Sequence, residues 1–256
     1  MQVVGCQLDI AWEDRDANHA CLRDMLAVSP PRAGGVVVLP EMFASGFSMD
    51  VAKISENNGS PTQRFLSELA KEHQVYIVGG VVTQAPDGRG QNQAVVLAPD
   101  GSEIARYHKI HPFSFGGETK CYSAGREIIT FDVGPFTIAP FVCYDLRFPE
   151  IFRQAVRRGA SVFLVIANWP AARVHHWTTL LQARAIENQA YVVGVNRCGR
   201  DPNLEYPGRS LIIDPKGQIV ADAGSSPGTI SAMLNAAELQ DYRGQFPALA
   251  DMRFVR

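Results

Sequence analysis

Three residues of the kinds that carry out acyl transfer each follow an apolar segment of the sequence. Glu41 comes directly after VVVLP, Lys109 after IARYH and Cys143 after FTIAPFV. Cysteine is a nucleophile, glutamate is a base, and the lysine ammonium is a cation that stabilises a developing oxyanion. This is the set of groups that acyl transfer through a thioester requires. Because the three are far apart in the chain, the chemistry depends on a fold that brings them together.

Each of these residues also has an ordinary structural explanation. Most free cysteines are small buried hydrophobic residues, while glutamate and lysine are usually solvated surface charges. A carboxylate or an ammonium among apolar neighbours, however, has its pKa shifted by desolvation. A desolvated Lys109 beside Glu41 and Cys143 would favour the thiolate. We therefore expect the three side chains to meet around one cavity.

The composition indicates a globular protein with reduced cysteines. Hydrophobic residues make up 46% of the 256 residues and charged residues 20%, which excludes a disordered or coiled-coil protein. The net charge of −2 argues against nucleic-acid binding, and no apolar run approaches the roughly 20 residues of a membrane span. The N-terminus lacks the features of a signal peptide, and five scattered cysteines do not suggest disulfides. We expect a cytoplasmic protein that binds neither nucleic acid nor membranes.

Apolar segments of strand length alternate with segments of helical period along the chain. Strands are predicted at 3–10, 36–42, 75–83, 93–98, 103–109, 128–133, 136–143, 161–168, 191–196, 210–214 and 218–223. Helices are predicted at 16–27, from a start at Ser60-Pro61, near 150–157 and at 174–189. This pattern predicts an α/β fold in one domain spanning 1–256, with sheets as inner layers and helices outside. The helix at 174–189 is apolar on two sides, which suggests that a second subunit covers one of them.

The segments that contain the three residues resemble the signatures of a known family. LPEMF, YHKIHPF and FVCYDLRFPE resemble the Glu, Lys and Cys signatures of the nitrilase (carbon–nitrogen hydrolase) superfamily, in the family's order. ANWPAARVHHW and LLQARAIENQAYVVGVNRCG look most like the omega-amidase branch. The resemblance implies a four-layer αββα sandwich of two mixed sheets with outer helices. It also implies a homodimer or larger oligomer, and no metal or organic cofactor.

The resemblance extends to further site residues and to a substrate. GGETKCYSAG resembles the family segment whose glutamate lies beside the triad, which implies that Glu118 is an orienting carboxylate or proton partner. The omega-amidase likeness implies hydrolysis of the primary amide of a short dicarboxylate, such as 2-oxoglutaramate or 2-oxosuccinamate, to carboxylate and ammonia. The carboxylate of such a substrate needs a cation in the pocket, and we expect Arg173 to provide it. The alternative is that Arg173 is an ordinary surface arginine. Aromatic side chains of the substrate pocket are expected to be Trp169, Phe115 and Tyr144.

Other activities remain as alternatives at this stage. An N-carbamoyl amino acid hydrolase or a nitrilase would share the same signatures, and so would a non-catalytic small-molecule binding protein on the same scaffold. The segment GSSPG fits the nucleophile elbow of serine hydrolases, but Pro227 has no N–H to bind an oxyanion. His108 and His111 on a strand, and the adjacent His175 and His176, point in different directions, so no metal site is expected.

Overall fold

The computed structural model describes residues 1–57 and 59–253. The strands are β1 Gln2–Gln7, β2 Val36–Val38, β3 Tyr76–Gln84, β4 Gly90–Leu97, β5 Glu103–His108, β6 Phe131–Val133, β7 Phe136–Val142, β8 Val162–Ala167, β9 Tyr191–Asn196, β10 Cys198–Arg200, β11 Glu205–Pro207, β12 Leu211–Ile213, β13 Ile219–Asp222 and β14 Gly228–Met233. The helices are α1 Arg15–Val28, α2 Val51–Ile54, α3 Pro61–His73, α4 Glu118–Cys121, α5 Pro149–Arg157, α6 Val174–Asn188 and α7 Ala236–Gln245. Short 3₁₀ turns occupy Ser114–Gly116, Cys143–Arg147, Ala171–Arg173 and Ala248–Asp251.

Twelve of these strands form two mixed six-stranded sheets. The strand order is β14-β1-β2-β3-β4-β5 in the first sheet and β13-β12-β9-β8-β7-β6 in the second. Strands β1, β2 and β3 are parallel, as are β7, β8 and β9, and the flanking pairs are antiparallel. The carboxyl ends of parallel strands meet at one edge of a sheet, where α/β proteins place their sites.

The two sheets lie face to face and are covered on their outer sides by helices. Strand β2 shows how three consecutive valines produce this arrangement, because successive side chains of a strand point to opposite faces. Val36 and Val38 belong to the core between the sheets, whereas Val37 packs with residues of α1 and α3. Helices α5 and α6 cover the second sheet through residues such as Phe152 and Trp177. The four-layer αββα sandwich is thus confirmed.

The structure differs from the predicted elements at two places near the first sheet. The strand predicted at 36–42 ends at Val38, because the chain turns at Pro40, which cannot donate to a strand ladder. Glu41 therefore lies on a loop beyond the strand. Strand β14 was not predicted, since Gly228–Met233 contains small and polar residues, yet it pairs with all of β1.

Two features are absent from residues 1–57 and 59–253. No helix there is long and apolar enough to cross a membrane. No group of three His, Cys, Asp or Glu side chains there is arranged to hold a metal ion.

Candidate active site

Glu41, Lys109 and Cys143 lie together at the edge where the two sheets meet. Glu41 follows β2 by three residues, and Lys109 and Cys143 are the first residues after β5 and β7. The Glu41 and Lys109 side chains are fully buried, and Cys143 is 9% exposed. The first sheet thus supplies the carboxylate and the ammonium, and the second sheet supplies the thiol.

The backbone is strained at two of these positions. Cys143 has φ of 49°, and Met42, directly after Glu41, has φ of 46°. Residues with a side chain rarely adopt this left-handed region, and such strain clusters at functional sites. The backbone of the turn at Glu41 is in close contact with β3. A Cβ on Gly80 would lie 2.6 Å from the Glu41 Cα and 2.4 Å from the Met42 nitrogen. A glycine is therefore required at position 80.

One ammonium and two carboxylates form the centre of the site. Lys109 Nζ donates to Glu41 Oε1 at 2.8 Å and to Glu118 Oε2 at 2.8 Å, with Glu118 Oε1 at 3.1 Å. Asn92 Nδ2 donates to Glu41 Oε1 at 2.7 Å and to Glu118 Oε1 at 2.8 Å. Glu118 also accepts the Phe113 N–H. The buried cluster thus holds two negative charges and one positive charge.

Asn168, the first residue after β8, fixes the other oxygen of Glu41. Its backbone N–H donates to Glu41 Oε2 at 2.8 Å. Its Nδ2 donates to the Glu41 carbonyl oxygen at 2.7 Å. Both carboxylate oxygens of Glu41 are therefore held by hydrogen bonds, and the side chain has little rotational freedom.

Burial and charge set the protonation of the site. Burial first, and then the Glu41 charge, raise the pKa of the Cys143 thiol well above its usual value, although Lys109 opposes them. Burial alone would lower the pKa of Lys109, but Coulombic attraction from Glu118 and Glu41 outweighs it and raises the pKa. Lys109 therefore favours the thiolate, as expected, but it does not set the net protonation of Cys143. One ammonium cannot offset burial and two carboxylates, so the resting thiol is neutral and lies within hydrogen-bonding reach of Glu41.

Asp145 fixes the turn that carries the thiol. Its carboxylate is fully buried and accepts the Val142 N–H at 3.1 Å and the Tyr107 hydroxyl at 2.8 Å. It also accepts from the His111 backbone N–H at 3.0 Å and lies 2.8 Å from His111 Nδ1. Tyr107 precedes Lys109 by two residues on β5, so Asp145 ties the cysteine turn to the strand that carries the lysine.

Cys143 lies in the wall of a cavity that is partly open to solvent. The lining residues are Phe47, Phe113, Cys143, Tyr144, Arg147, Asn168, Trp169, Pro170, Arg173, Leu204 and Tyr206. Arg147 lies over the Trp169 ring at 4.8 Å and Arg173 over the Phe113 ring at 5.4 Å. In the described part of the chain, neither arginine forms an ion pair with a carboxylate. The cavity thus has largely apolar walls and two guanidinium groups, of which Arg147 also lies 3.2 Å from His176 Nδ1.

The structure brings most of the expected site residues to this cavity but not all. Glu118 joins the buried cluster, and Tyr144, Trp169 and Arg173 line the cavity. Phe115 does not, since its side chain is 87% exposed and lies outside Phe113 with a ring distance of 6.0 Å. The expectation that Phe115 lines the pocket is wrong, because the 3₁₀ turn at Ser114–Gly116 directs the chain outward after Phe113.

Three residues of the site were not predicted, although the sequence carries a signal for each. Asn92 is polar at a position in phase with Ala94 and Val96, which face the core between the sheets, and asparagine is uncommon within strands. Arg147 ends the same 3₁₀ segment that Cys143 begins, so a cation this close to the nucleophile in the chain is a candidate for the same cavity. Asn168 follows a strand of six fully buried residues, in the position that Cys143 occupies after β7.

A neutral thiol, a carboxylate within reach of its proton and a buried ammonium can together carry out nucleophilic acyl transfer. The carboxylate accepts the thiol proton as sulfur attacks a carbonyl carbon, and the ammonium stabilises the oxyanion. All of the groups that this chemistry uses are side chains of the protein.

Comparisons with known proteins agree with that chemistry. The family model described as carbon-nitrogen hydrolase matches residues 3–244. The chain is 42% identical to "Omega-amidase YafV" of Yersinia enterocolitica, covering 96% of this chain and 94% of the relative. It is 36% identical to "2-oxoglutaramate amidase" of Bacillus subtilis (strain 168), covering 85% of each. A crystal structure of XC1258 from Xanthomonas campestris, a CN-hydrolase superfamily protein, superposes with a TM-score of 0.93 at 34% identity, covering 100% of this chain and 98% of that one.

The protonation of Cys143 gives a test of pH dependence. Iodoacetamide reacts with thiolates, and a raised pKa lowers the thiolate fraction at a given pH. We therefore expect alkylation of Cys143 to keep rising with pH beyond about 9, above the ordinary cysteine pKa. In Glu41→Gln, removal of a negative charge lowers the thiol pKa and moves this rise to lower pH.

Peptide mass spectrometry after timed alkylation measures these rates. The control is Cys21, a half-buried thiol on α1, whose profile should be the same in both proteins. A wild-type Cys143 profile that levels off below about pH 7, well under the ordinary cysteine pKa, would show a resting thiolate and contradict this account.

Proposed function

This chain belongs to the carbon–nitrogen hydrolase family and is an enzyme that hydrolyses amides, and we propose that it acts as an omega-amidase through a thioester on Cys143. The proposed substrate is the terminal amide of a short dicarboxylic acid, such as 2-oxoglutaramate or 2-oxosuccinamate. The observation that carries the proposal is a cavity lined by Cys143 and by two arginines that form no ion pair with a carboxylate among residues 1–57 and 59–253.

Acylation begins at the neutral Cys143 thiol. Sulfur attacks the amide carbonyl carbon while the thiol proton passes to Glu41, so that the total charge of the cluster does not change. Collapse of the tetrahedral intermediate breaks the C–N bond, and Glu41 donates its proton to the departing nitrogen. Ammonia leaves and the acyl group remains on Cys143 as a thioester.

Hydrolysis of the thioester repeats these steps with water. Glu41 takes a proton from water as its oxygen attacks the thioester carbonyl, and a second tetrahedral intermediate forms. Its collapse breaks the C–S bond, and the proton held by Glu41 returns to sulfur. The products are ammonia and the dicarboxylic acid, and the enzyme returns to its starting state without any cofactor.

The oxyanion of each intermediate is proposed to lie between Lys109 and the Tyr144 backbone N–H. An ammonium has three donors, and Glu41 and Glu118 engage two of them, with Glu118 Oε1 sharing the bond to Oε2. The third remains for the substrate. Tyr144 is in the first turn of the 3₁₀ segment Cys143–Arg147, where an N–H has no acceptor within the helix. Donors of this kind contribute on the order of 3 kcal/mol each.

The distal carboxylate of the substrate is proposed to bind Arg147 and Arg173. Burial, and to a smaller extent the charge of Arg173, lower the pKa of the Arg147 guanidinium. Tyr144 raises this pKa, but the net effect is a lowering. An anion between the two arginines would relieve their mutual repulsion. Planar guanidinium groups also bind carboxylates through paired hydrogen bonds. Trp169 and Phe113 would form the apolar walls between this end and Cys143.

We also propose that residues 1–256 form one domain that works in the cytoplasm as a homodimer or larger oligomer. The outer side of α6 supports the oligomer, since Ile186 is 54% exposed and Leu180 is only half-buried. A second copy would cover these apolar residues. All five cysteines are free, which suits a reducing compartment.

Ammonia release from a substrate panel tests the proposed function. We expect 2-oxoglutaramate to be hydrolysed faster than a carbamoyl amino acid or a nitrile. Cys143→Ala should lower the rate by roughly 10⁴-fold or more, as loss of a catalytic nucleophile does, while Cys21→Ala should retain it. Faster release from the carbamoyl amino acid or the nitrile would assign another branch of the family. Release from none of them would indicate a binding protein.

Substitution of the cavity arginines tests the substrate carboxylate. Arg147→Met and Arg173→Met keep the aliphatic stem and remove the charge. Each should lower kcat/KM for 2-oxoglutaramate by about 10- to 100-fold, the effect of losing a charge-assisted hydrogen bond. An uncharged amide of similar length should be hydrolysed nearly as before. An equal loss on both amides would contradict carboxylate binding, and Arg23→Met on α1 serves as the control.

A further inference from the structure

Asn92 is a neutral donor shared by the two buried carboxylates. It is 1% exposed, and its Nδ2 donates to Glu41 Oε1 at 2.7 Å and to Glu118 Oε1 at 2.8 Å. Its backbone oxygen accepts the Lys109 N–H at 2.9 Å. The residue is therefore in contact with all three charged members of the cluster, while contributing no charge of its own.

The orientation of the Asn92 amide is dictated by these neighbours. A carboxylate only accepts hydrogen bonds, so a rotated amide would turn Oδ1 toward two negative oxygens. In the observed orientation Oδ1 is buried and has no hydrogen-bond partner among the described residues. Leaving a buried acceptor unpaired costs stability. The amide is thus placed to serve the two carboxylates rather than to optimise the fold.

At Glu41 Oε1 the two donors are charged Lys109 and neutral Asn92, whereas the Asn168 N–H holds Oε2. The attraction between the Lys109 ammonium and Glu41 depends on the charge of Glu41, which is lost when Glu41 accepts the proton of Cys143. A hydrogen bond from an amide does not depend on that charge, because a neutral carboxyl group still accepts at its carbonyl oxygen. Asn92 can therefore hold Glu41 in both protonation states.

We propose that Asn92 is a positioning residue that keeps Glu41 and Glu118 at a fixed separation around Lys109 during turnover. The inference rests on the proposed amide hydrolysis and assigns a residue outside the triad to it. Asparagine suits this position because it offers two N–H donors to two acceptors. A lysine or arginine there would neutralise the base, and an aspartate would add a third negative charge without donors.

Asn92→Asp and Asn92→Ala test the role in catalysis. Misplacement of a reacting group by about 1 Å costs on the order of 100-fold, so we expect each variant to lose about 100-fold in kcat. KM should change by less than about threefold, because the cavity arginines are not affected. The backbone bond to Lys109 does not involve the side chain, so circular dichroism and thermal melting should show a folded protein. If Asn92→Asp does not fold, the same expected changes in kcat and KM apply to Asn92→Ala.

The pH profile of kcat separates positioning from a structural role. The titratable groups of this cluster are Glu41, Glu118, Lys109, Cys143 and Tyr122. An added carboxylate in Asn92→Asp makes protonation of the existing carboxylates easier, so the acidic limb of the profile should move to higher pH. Gln93→Glu, on the opposite face of β4, adds the same charge and should move neither kcat nor this limb.

Two results would overturn the inference. One is a folded Asn92→Asp or Asn92→Ala protein whose kcat stays within about threefold of wild type, or whose loss lies in KM alone. The other is unchanged alkylation of Cys143 in Asn92→Asp at pH 8, since a carboxylate in contact with the cluster should slow it. Alkylation does not depend on the substrate, so this measurement tests the role of Asn92 even if the wild-type protein releases no ammonia from 2-oxoglutaramate. The absence of ammonia release would contradict the proposed function instead.

Discussion

The site depends on an imbalance of charge inside a buried cluster. Two carboxylates, Glu41 and Glu118, surround the single ammonium of Lys109, and all three side chains are almost completely removed from solvent. Burying charges costs free energy that the pairing only partly returns, so the cluster is poorly explained as a stabilising feature. The excess negative charge has a chemical consequence instead. Together with burial, it raises the pKa of the Cys143 thiol. In the proposed mechanism Glu41 is the base beside this thiol, and sulfur becomes nucleophilic only as its proton moves.

The fold supports this cluster by bringing the ends of strands from both sheets to one edge. Glu41 and Lys109 extend from the first sheet and Cys143 from the second, and Asp145 links the cysteine turn to β5 through Tyr107. The positive φ angle of Cys143 shows that the turn is held by its surroundings rather than by local preference. A rigid double sheet provides such surroundings, because a shift of either sheet would disturb packing throughout the core.

Much of the fold could be predicted from sequence because its signals are local. Apolar runs such as Val162–Ala167 produce strands buried on both faces, and Ser60 and Pro61 begin a helix with standard capping chemistry. Strand β14 could not be predicted in this way, since its identity as a strand comes from pairing with β1. Glu41, Lys109 and Cys143 were recognisable as charged or reactive residues at the ends of apolar runs.

Other parts of the site were not predictable from those signals, because they depend on distances between remote segments. The protonation of Cys143 depends first on its burial and then on the charges around it, and the second carboxylate became evident only when Glu118 was found on the same ammonium as Glu41. Phe115 and Phe113 are two residues apart and chemically identical, so only the path of the chain decides which one lines the cavity. Arg147 became a candidate for substrate binding because it lines the same cavity as Arg173 and, in the part of the chain that the structure describes, forms no ion pair with a carboxylate.

The most direct test of a thioester built by this cluster is peptide mass mapping of enzyme quenched in acid during turnover of 2-oxoglutaramate. We expect an acyl adduct on the peptide that contains Cys143, released by hydroxylamine as a thioester would be, and no adduct on any peptide in Glu41→Gln. Turnover with the adduct on a different residue, or with no adduct at any quench time, would contradict it.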